Sequence, residues 1–308
     1  MIVNQMIPIV SVSAMLSLVT YFATPNIARK LKKMNILGID VHKRSKPKVA
    51  EMGGVAILPP AIALFMFAYV VTLSPIILLV TLSTALFAAY GILDDVMKLQ
   101  KYPKMAISVG IGTLLLALAN TPLLLFIPLL VLLVGIGNTF NTFAGFNGLE
   151  VGTGTSTAFF FSILCFMTGN IIPFYMSFGM FLILFSFLLH NKYPAKIFPG
   201  NIGTFTVGGF FVGITLYFGL IHLLLPLLVL HIADTLIKGF SAGYFSSSEK
   251  VRTRVGKNDI LVPRSDYLSL VRLVLRKKPM NEKQLVRFFW SLSVLVGIVT
   301  VIATGVML

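Results

Sequence analysis

The sequence predicts an all-α integral membrane protein with about ten transmembrane helices. Of its 308 residues, 57% are hydrophobic and only 11% are charged, whereas a soluble domain would carry about a quarter charged residues. Apolar runs near the length that a membrane-spanning helix needs, about 20 residues, also recur along the chain. They lie near 5–27, 53–73, 75–93, 105–119, 122–140, 154–169, 171–190, 203–219, 219–238 and 285–307. We therefore expect one polytopic transmembrane domain over residues 1–308.

The basic residues fall on one side of this topology. With ten helices, every Lys and Arg lies in 29–48, 98–104, 192–196 or 238–287, and the opposite turns carry none. Cytoplasmic loops of membrane proteins carry the excess of Lys and Arg. The basic side is therefore predicted to be cytoplasmic, with both termini outside, in the cell membrane if the source is prokaryotic. The net charge of +15 then reflects topology, and no nucleic-acid partner is expected.

The ten acidic residues share the basic side, whereas a transporter would place some near the middle of the membrane. Asp94 and Asp95 end an apolar helix in "GILDDVMKLQKYPK". Neighbours on a helix diverge by about 100°, so one carboxylate can face a metal while the other faces a second group. With lysines 98, 101 and 104 nearby, the segment suits a site for phosphate and Mg²⁺.

Three asparagines follow in "NTFNTFAGFNGLEVG", residues 138–152. Asn138 and Asn141 share a helix face, and Asn147 follows Gly145 in a turn that tolerates positive φ. An amide oxygen can ligate Mg²⁺, and the amide as a whole can read the edge of a nucleobase. We expect the three asparagines to meet metal and base.

Two glycine-containing segments are less specific. Gly53 and Gly54 permit close approach to a ligand or form a hinge, and the sequence leaves both open. In "FPGNIGTFTVGG", Asn201 precedes a helix whose first backbone amides suit a phosphate.

The last long loop, 241–284, is predicted to bind substrate. It contains a hairpin around 256–259, on which Arg252 and Arg254 share a strand face and could clamp one pyrophosphate. An amphipathic helix follows and is expected to lie in the membrane interface. Its apolar stripe is predicted to comprise Tyr267, Leu270, Val271 and Val274, with Arg272 and Arg276 away from it.

In this order, the motifs resemble those of the polyprenyl-phosphate N-acetylhexosamine-1-phosphate transferases, especially the branch that makes N-acetylglucosaminyl-diphosphodolichol. The matching stretches are "PKVAEMGG", "GILDDVMKL" with Lys104, "NTFNTFAGFNGLEVG", "FPGNIGTFTVGG", "RTR" and "KKPMNEKQL". The resemblance implies ten transmembrane helices and a cytoplasmic active site. It also implies transfer of N-acetylglucosamine-1-phosphate from UDP-GlcNAc to dolichyl or another polyprenyl phosphate, with release of UMP. Such a reaction is a first step of lipid-linked oligosaccharide synthesis for N-glycosylation.

The resemblance also implies roles for individual residues. The implied catalytic residues are Asp94, Asp95 and Lys104. The implied ligands of Mg²⁺, or alternatively Mn²⁺, are Asn141, Asn201 and Asp95. The implied substrate-binding residues are Glu51, Gly145, Asn147, Glu150, Phe198, Arg252 and Arg254. Which aspartate, if either, acts as a base is left open. Asn201 stands where family members generally carry a metal-binding aspartate, so its role is open too. Arg-Thr-Arg replaces the His-rich motif of the bacterial cell-wall branch, which disfavours a muramoyl-pentapeptide substrate.

Several alternatives remain at this stage. The same family includes enzymes for other UDP-linked N-acetylhexosamines, and the variable loop 241–284 does not distinguish among them. Ten helices with a basic face also permit a transporter or flippase for a lipid-linked sugar, although no inverted repeat is visible. Asn201 raises the possibility of an inactive homologue. The oligomeric state is open, with a homodimer as one option.

Overall fold

The computed structural model describes residues 2–242, 253–256, 259–263 and 268–308. Within these ranges the chain is mostly helical. The helices are α1 (Ile2–Lys33), α2 (Leu58–Thr72), α3 (Ile76–Met97), α4 (Lys101–Leu118), α5 (Leu123–Thr142), α6 (Leu149–Met167), α7 (Ile171–Asn191), α8 (Gly200–Tyr217), α9 (Ile221–Leu224), α10 (Val229–Ala242), α11 (Leu270–Lys277) and α12 (Glu282–Met307). Two antiparallel strand pairs lie between helices: β1 (Leu37–Ile39) with β2 (Lys48–Ala50), and β3 (Arg254–Val255) with β4 (Leu261–Val262).

Eight helical segments in the described part of the chain are long and apolar enough to cross a membrane. They are Ile7–Lys33, Gly53–Thr72, Ile76–Met97, Leu123–Thr142, Leu149–Met167, Ile171–Asn191, Ile221–Ser241 and Glu282–Met307. The predicted runs near 105–119 and 203–219 are also helical, as α4 and α8, but are not among these eight. The chain is therefore an integral membrane protein, and ten spans stay a prediction.

Helix α8 forms the centre of the bundle and packs between α3 and α5. Fourteen of its 18 residues are buried, and glycines allow the backbones to approach closely. A β-carbon added at Gly208 would lie 2.2 Å from the carbonyl oxygen of Gly137 in α5. On the α3 side, Ser83 Oγ donates to the carbonyl oxygen of Gly209 at 2.8 Å. Small residues at helix contacts are typical of membrane proteins, and here they fix α8 against both neighbours.

Backbone hydrogen bonds between segments distant in sequence hold the start of α8 at one end of the bundle. Strand β2 continues into a parallel bridge from Ala50 to Ile197. The amides of Gly53 and Gly54 then donate to the carbonyl oxygens of Phe198 and Pro199, both at 2.7 Å. The structure therefore supports neither interpretation of the two glycines, since their close approach is to α8: a β-carbon at Gly54 would lie 2.2 Å from the backbone nitrogen of residue 203.

The last loop packs through α11 and β4 onto the same end of the bundle. Strands β3 and β4 flank residues 256–259, where the hairpin was predicted. In α11 the side chains of Val271 and Leu275 are buried, and Leu270 and Val274 pack against them. Arg272, which is predicted to lie away from the apolar stripe, is nevertheless only 7% exposed. Residues 271, 272 and 275 lie within about 100° on a helix, and a long Arg stem can be buried alongside its neighbours. Tyr267 lies outside the described residues.

Candidate active site

A cavity of about 400 Å³ opens at this end of the bundle. The end of α3, the end of α5, the start of α6 and the start of α8 meet around it, beneath the β1–β2 hairpin. Eight of the residues assigned from the sequence line it: Glu51, Asp95, Asn141, Gly145, Asn147, Glu150, Phe198 and Asn201. Because these residues come from four separate motifs, the fold gathers most of the predicted site into one place.

Asp95 fixes one wall of the cavity by capping α8. Its Oδ1 accepts the backbone N–H of Asn201 at 2.9 Å, and its Oδ2 accepts that of Ile202 at 3.0 Å. The first amides of a helix lack partners within the helix, and its N-terminus carries partial positive charge. Gly200, with φ +66°, makes the approach possible, since a β-carbon there would lie 2.8 Å from Asp95 Oδ2. The carboxylate is thus held by the fold itself.

Asp94 points away from the cavity, as the 100° divergence of neighbouring residues predicts. It is only 1% exposed and pairs with Lys104, whose Nζ lies 2.7 Å from Asp94 Oδ2. Neither residue lines the cavity, so their assigned catalytic roles stay predictions. Lys98 does line it, from the left-handed position that ends α3. The sequence placed Lys98 in the segment suited to phosphate and Mg²⁺ but gave it no individual role, which went to Lys104 instead.

The asparagines divide into two groups. Asn138 donates from Nδ2 to Ser108 Oγ and to the carbonyl oxygen of Val134, both at 2.7 Å. Asn138 thus joins α5 to α4 and does not line the cavity, so the structure gives no support to the expectation that it meets metal or base. Asn141, one helical turn closer to the end of α5, lines the cavity.

Asn147 forms the second wall, where two carboxylates hold it. Its backbone N–H donates to Glu282 Oε1 at 2.8 Å, and its Nδ2 donates to Asp40 Oδ2 at 3.0 Å. The turn has positive φ at Gly145 (119°), as the sequence predicts, and also at Gly148 (82°). Asn147 is only 3% exposed, so its position is set by these contacts.

One lysine links the two carboxylates that hold Asn147. Lys43 Nζ contacts Asp40 and lies 3.9 Å from Glu282 Oε2. It also stands 4.5 Å from the centroid of the Tyr193 ring, a cation–π distance. We call Asp40, Lys43 and Glu282 the Asn147 clamp. No role was assigned to any of the three from the sequence, and the contacts that join Asp40 to Asn147 and Lys43 to Glu282 link segments distant along the chain.

His42 completes this corner of the site. Its ring stacks on that of Phe146 with 4.1 Å between centroids, and its Nδ1 lies 4.0 Å from Glu282 Oε1. Asp40, His42 and Glu282 each bring one ligand atom within 4.8 Å of the others, a spacing that could hold a metal ion. Lys43 already supplies a cation to the two carboxylates of this group.

Glu150 brings an acceptor to the cavity wall. It lies in the first turn of α6 and is 8% exposed. Within the described part of the chain, its Oε2 has no hydrogen-bond partner. A buried oxygen of this kind is costly unless something satisfies it, which makes Glu150 a candidate ligand-binding group.

The two arginines of the predicted pyrophosphate clamp cannot be placed. Arg252 lies outside the described residues, and so does the side chain of Arg254, whose backbone pairs with Val262. Their substrate-binding roles stay predictions.

Comparisons with known proteins identify the family of this chain. The model of glycosyl transferase family 4 matches residues 77–219, which include Asp95, Asn141 and Asn201. A Methanocaldococcus jannaschii protein provisionally named as a glycosyltransferase is 32% identical over 269 residues, covering 86% of this chain and 87% of that protein. A Saccharolobus solfataricus protein provisionally named as a UDP-N-acetylglucosamine–dolichyl-phosphate N-acetylglucosaminephosphotransferase is 30% identical over 317 residues, covering 92% and 93%.

A more distant relative is a phospho-N-acetylmuramoyl-pentapeptide-transferase of Prochlorococcus marinus, 25% identical over 331 residues that cover 92% of this chain and 87% of that protein. The similarity to these relatives extends over most of the chain, and the motifs that line the cavity are those that carry the family resemblance in the sequence. The chain therefore belongs to glycosyl transferase family 4.

Proposed function

We propose that the protein transfers N-acetylglucosamine-1-phosphate from UDP-GlcNAc to dolichyl or another polyprenyl phosphate. A lipid-phosphate oxygen forms a bond to the β-phosphorus of UDP-GlcNAc, the bond from that phosphorus to the bridging oxygen breaks, and UMP leaves. The observation that carries the proposal is the single cavity that gathers eight residues from the family motifs. The product would be a lipid-linked diphospho-sugar, the starting point of an oligosaccharide for N-glycosylation.

Two anionic reactants need positive charge at the cavity. Nucleophile and electrophile both carry phosphate charge, so their repulsion must be offset. Lys98 lines the cavity. Lys104 lies outside the lining and forms an ion pair with Asp94. We propose that Arg252 and Arg254 add charge at the pyrophosphate and that Glu51 contacts the nucleotide-sugar.

The residues present suit a divalent cation. Asn141, Asn201 and Asp95 offer only oxygen ligands, which Mg²⁺ prefers and Mn²⁺ accepts, and the buried Oε2 of Glu150 needs a partner. A bound Mg²⁺ would offset phosphate charge during transfer. Asp95 uses one lone pair of each oxygen on α8 and keeps others for a ligand. At position 201 the amide supplies an oxygen without the charge of an aspartate.

The position of the cavity suits a reaction between a lipid and a water-soluble nucleotide. It lies at one end of the helices, where a lipid phosphate at the membrane surface and a UDP-sugar from the aqueous side can meet. We propose that this end faces the cytoplasm, that ten helices span the membrane and that both termini lie outside. The distribution of Lys and Arg supports this orientation.

The nucleotide is proposed to lie along the Asn147 wall, with uracil near Gly145 and Asn147 and packed against Phe198. The identity of the sugar is the least constrained part of the proposal. Another UDP-linked N-acetylhexosamine is the alternative. Both arginines are proposed to contact the sugar side, and Arg252 and the side chain of Arg254 lie outside the described residues.

A donor panel tests the proposal. Purified full-length protein would be incubated with dolichyl phosphate, Mg²⁺ and each of several UDP-sugars, and the lipid product identified by mass together with released UMP. We expect a GlcNAc-diphospho-lipid with UDP-GlcNAc, and no UMP release when lipid phosphate is omitted or EDTA is added. Product with a different UDP-HexNAc would replace the sugar assignment. Absence of UMP release with every donor, in protein that binds lipid phosphate, would favour a transporter or an inactive homologue.

A further inference from the structure

We propose that Asp40 and Lys43 are positioning residues that fix the amide of Asn147 with its oxygen available to the cavity. The site thereby selects a nucleobase that presents an N–H, as uracil does at N3, and disfavours cytosine, which has a lone pair there. This inference rests on the proposed function, because it assumes that a nucleotide-sugar lies against Asn147. It assigns a role in base selection to two residues that do not themselves touch the base.

The chemistry of the partners determines how the amide is turned. An ammonium group can only donate hydrogen bonds, and a carboxylate can only accept them. Lys43 donates to Asp40 Oδ2, and the same oxygen lies 3.0 Å from the terminal nitrogen of Asn147. If the amide were reversed, two acceptor oxygens would face each other at that distance. Lys43 Nζ and Asn147 Nδ2 therefore both donate hydrogen bonds to Asp40 Oδ2. This orientation of the amide leaves Asn147 Oδ1 as an acceptor.

The backbone of Asn147 is fixed independently of its side chain. Glu282, at the start of α12, accepts the Asn147 N–H at 2.8 Å, whereas Asp40 belongs to the loop between β1 and β2. Lys43 brings one positive charge close to both carboxylates. Asp40 and Glu282 are each 2% exposed, and hydrogen bonds in such surroundings are stronger than in water. The side chain of Asn147 consequently has little freedom to rotate.

A fixed acceptor discriminates between bases by more than the loss of one contact. Uracil can donate from N3, whereas the N3 lone pair of cytosine would face the amide oxygen with no proton between them. A buried polar group left unpaired costs more than a hydrogen bond gains, and sites built to bind an N–H reject analogues that lack it. A freely rotating amide would accept either base by turning over.

The test measures nucleotide binding, which does not depend on turnover. Purified full-length protein in detergent with Mg²⁺ would be titrated calorimetrically with UDP, CDP and the UDP analogue methylated at N3. We expect the native protein to bind UDP at least tenfold more tightly than either of the other two, about 1.4 kcal/mol. Asp40→Asn allows the residue-40 side chain to donate or accept, so the Asn147 amide can reverse. The ratio of UDP to CDP affinity should then fall about tenfold.

Lys48→Gln is the matched control, because it removes a charge from the exposed face of the same hairpin and should leave the ratio unchanged. If folded Asp40→Asn kept the native ratio, Asp40 would not position the amide. If native protein bound UDP and its N3-methyl analogue equally, Asn147 Oδ1 would not accept a hydrogen bond from N3 of the base. This comparison uses the native protein alone. Failure to bind any uridine nucleotide would overturn the proposed function itself. Base discrimination without turnover in the donor panel would instead leave this inference standing.

Discussion

The two walls of the cavity hold their key side chains in different ways. On the α3–α8 wall, backbone amides of a tightly packed helix hold Asp95. On the opposite wall, Asn147 is held by side chains from two segments more than 100 residues away in sequence. The first arrangement depends on close helix packing, and the second on the balance of charge among Asp40, Lys43 and Glu282. The comparison shows that one cavity can combine a wall held by helix packing with a wall held by charged side chains.

The largest effect should come from removing the cation of the Asn147 clamp. Lys43→Met takes away the ammonium that two buried carboxylates contact, and breaking a buried pair in this way costs about 3–5 kcal/mol. Lys104→Met, the matched comparison, removes the partner of Asp94 alone, and its side chain is 36% exposed, so water can replace part of the interaction. The midpoint of thermal unfolding in detergent should fall further for Lys43→Met. Equal losses would mean that the two lysines have equivalent surroundings.

Next in size is the loss of turnover expected at the α3–α8 wall. Asp95→Asn keeps one acceptor but turns an NH₂ group toward a backbone N–H of α8, and it removes the negative charge beside the cavity. Turnover, measured as UMP release, should fall about 10²–10³-fold, as for the loss of other fixed groups in active sites. Asp94→Asn, one residue away but outside the cavity lining, should lose less. The reverse order would move the reactive carboxylate to Asp94.

The smallest effect tests the packing that supports the α3–α8 wall. A β-carbon at Gly137 would lie 2.3 Å from Cε1 of Phe87, a buried ring, whereas one at Gly135 would have nothing within 4 Å. Gly137→Ala should therefore destabilise the protein by about 1–3 kcal/mol, the usual cost of overpacking. Gly135→Ala, in the same helix, should be neutral or slightly stabilising. Unfolding midpoints of the two variants measure the difference, and similar values would exclude close packing at this contact.

The two walls also differ in how far sequence could predict them. Membrane helices bring their ends to a common face, so motifs at those ends were expected to converge, and Glu51, Asp95, Asn141 and Asn147 do line one cavity. Helical spacing shows which residues share a face but not which neighbour that face meets. For this reason Asn138 was grouped with Asn141, although it binds Ser108. The contact of Asp40 with Asn147 joins loops 107 residues apart, and no local pattern in the sequence indicates it.

The Asn147 clamp has a consequence for how the protein is made. Asn147 is synthesised 135 residues before Glu282, the acceptor of its backbone N–H. Ribosomes add about 5–20 residues per second, so this turn emerges on the order of ten seconds before its last partner exists. Throughout that interval the nascent chain has Lys43 and Asp40 but lacks the second carboxylate. The wall of the cavity that holds Asn147 is therefore completed only when α12 begins to emerge.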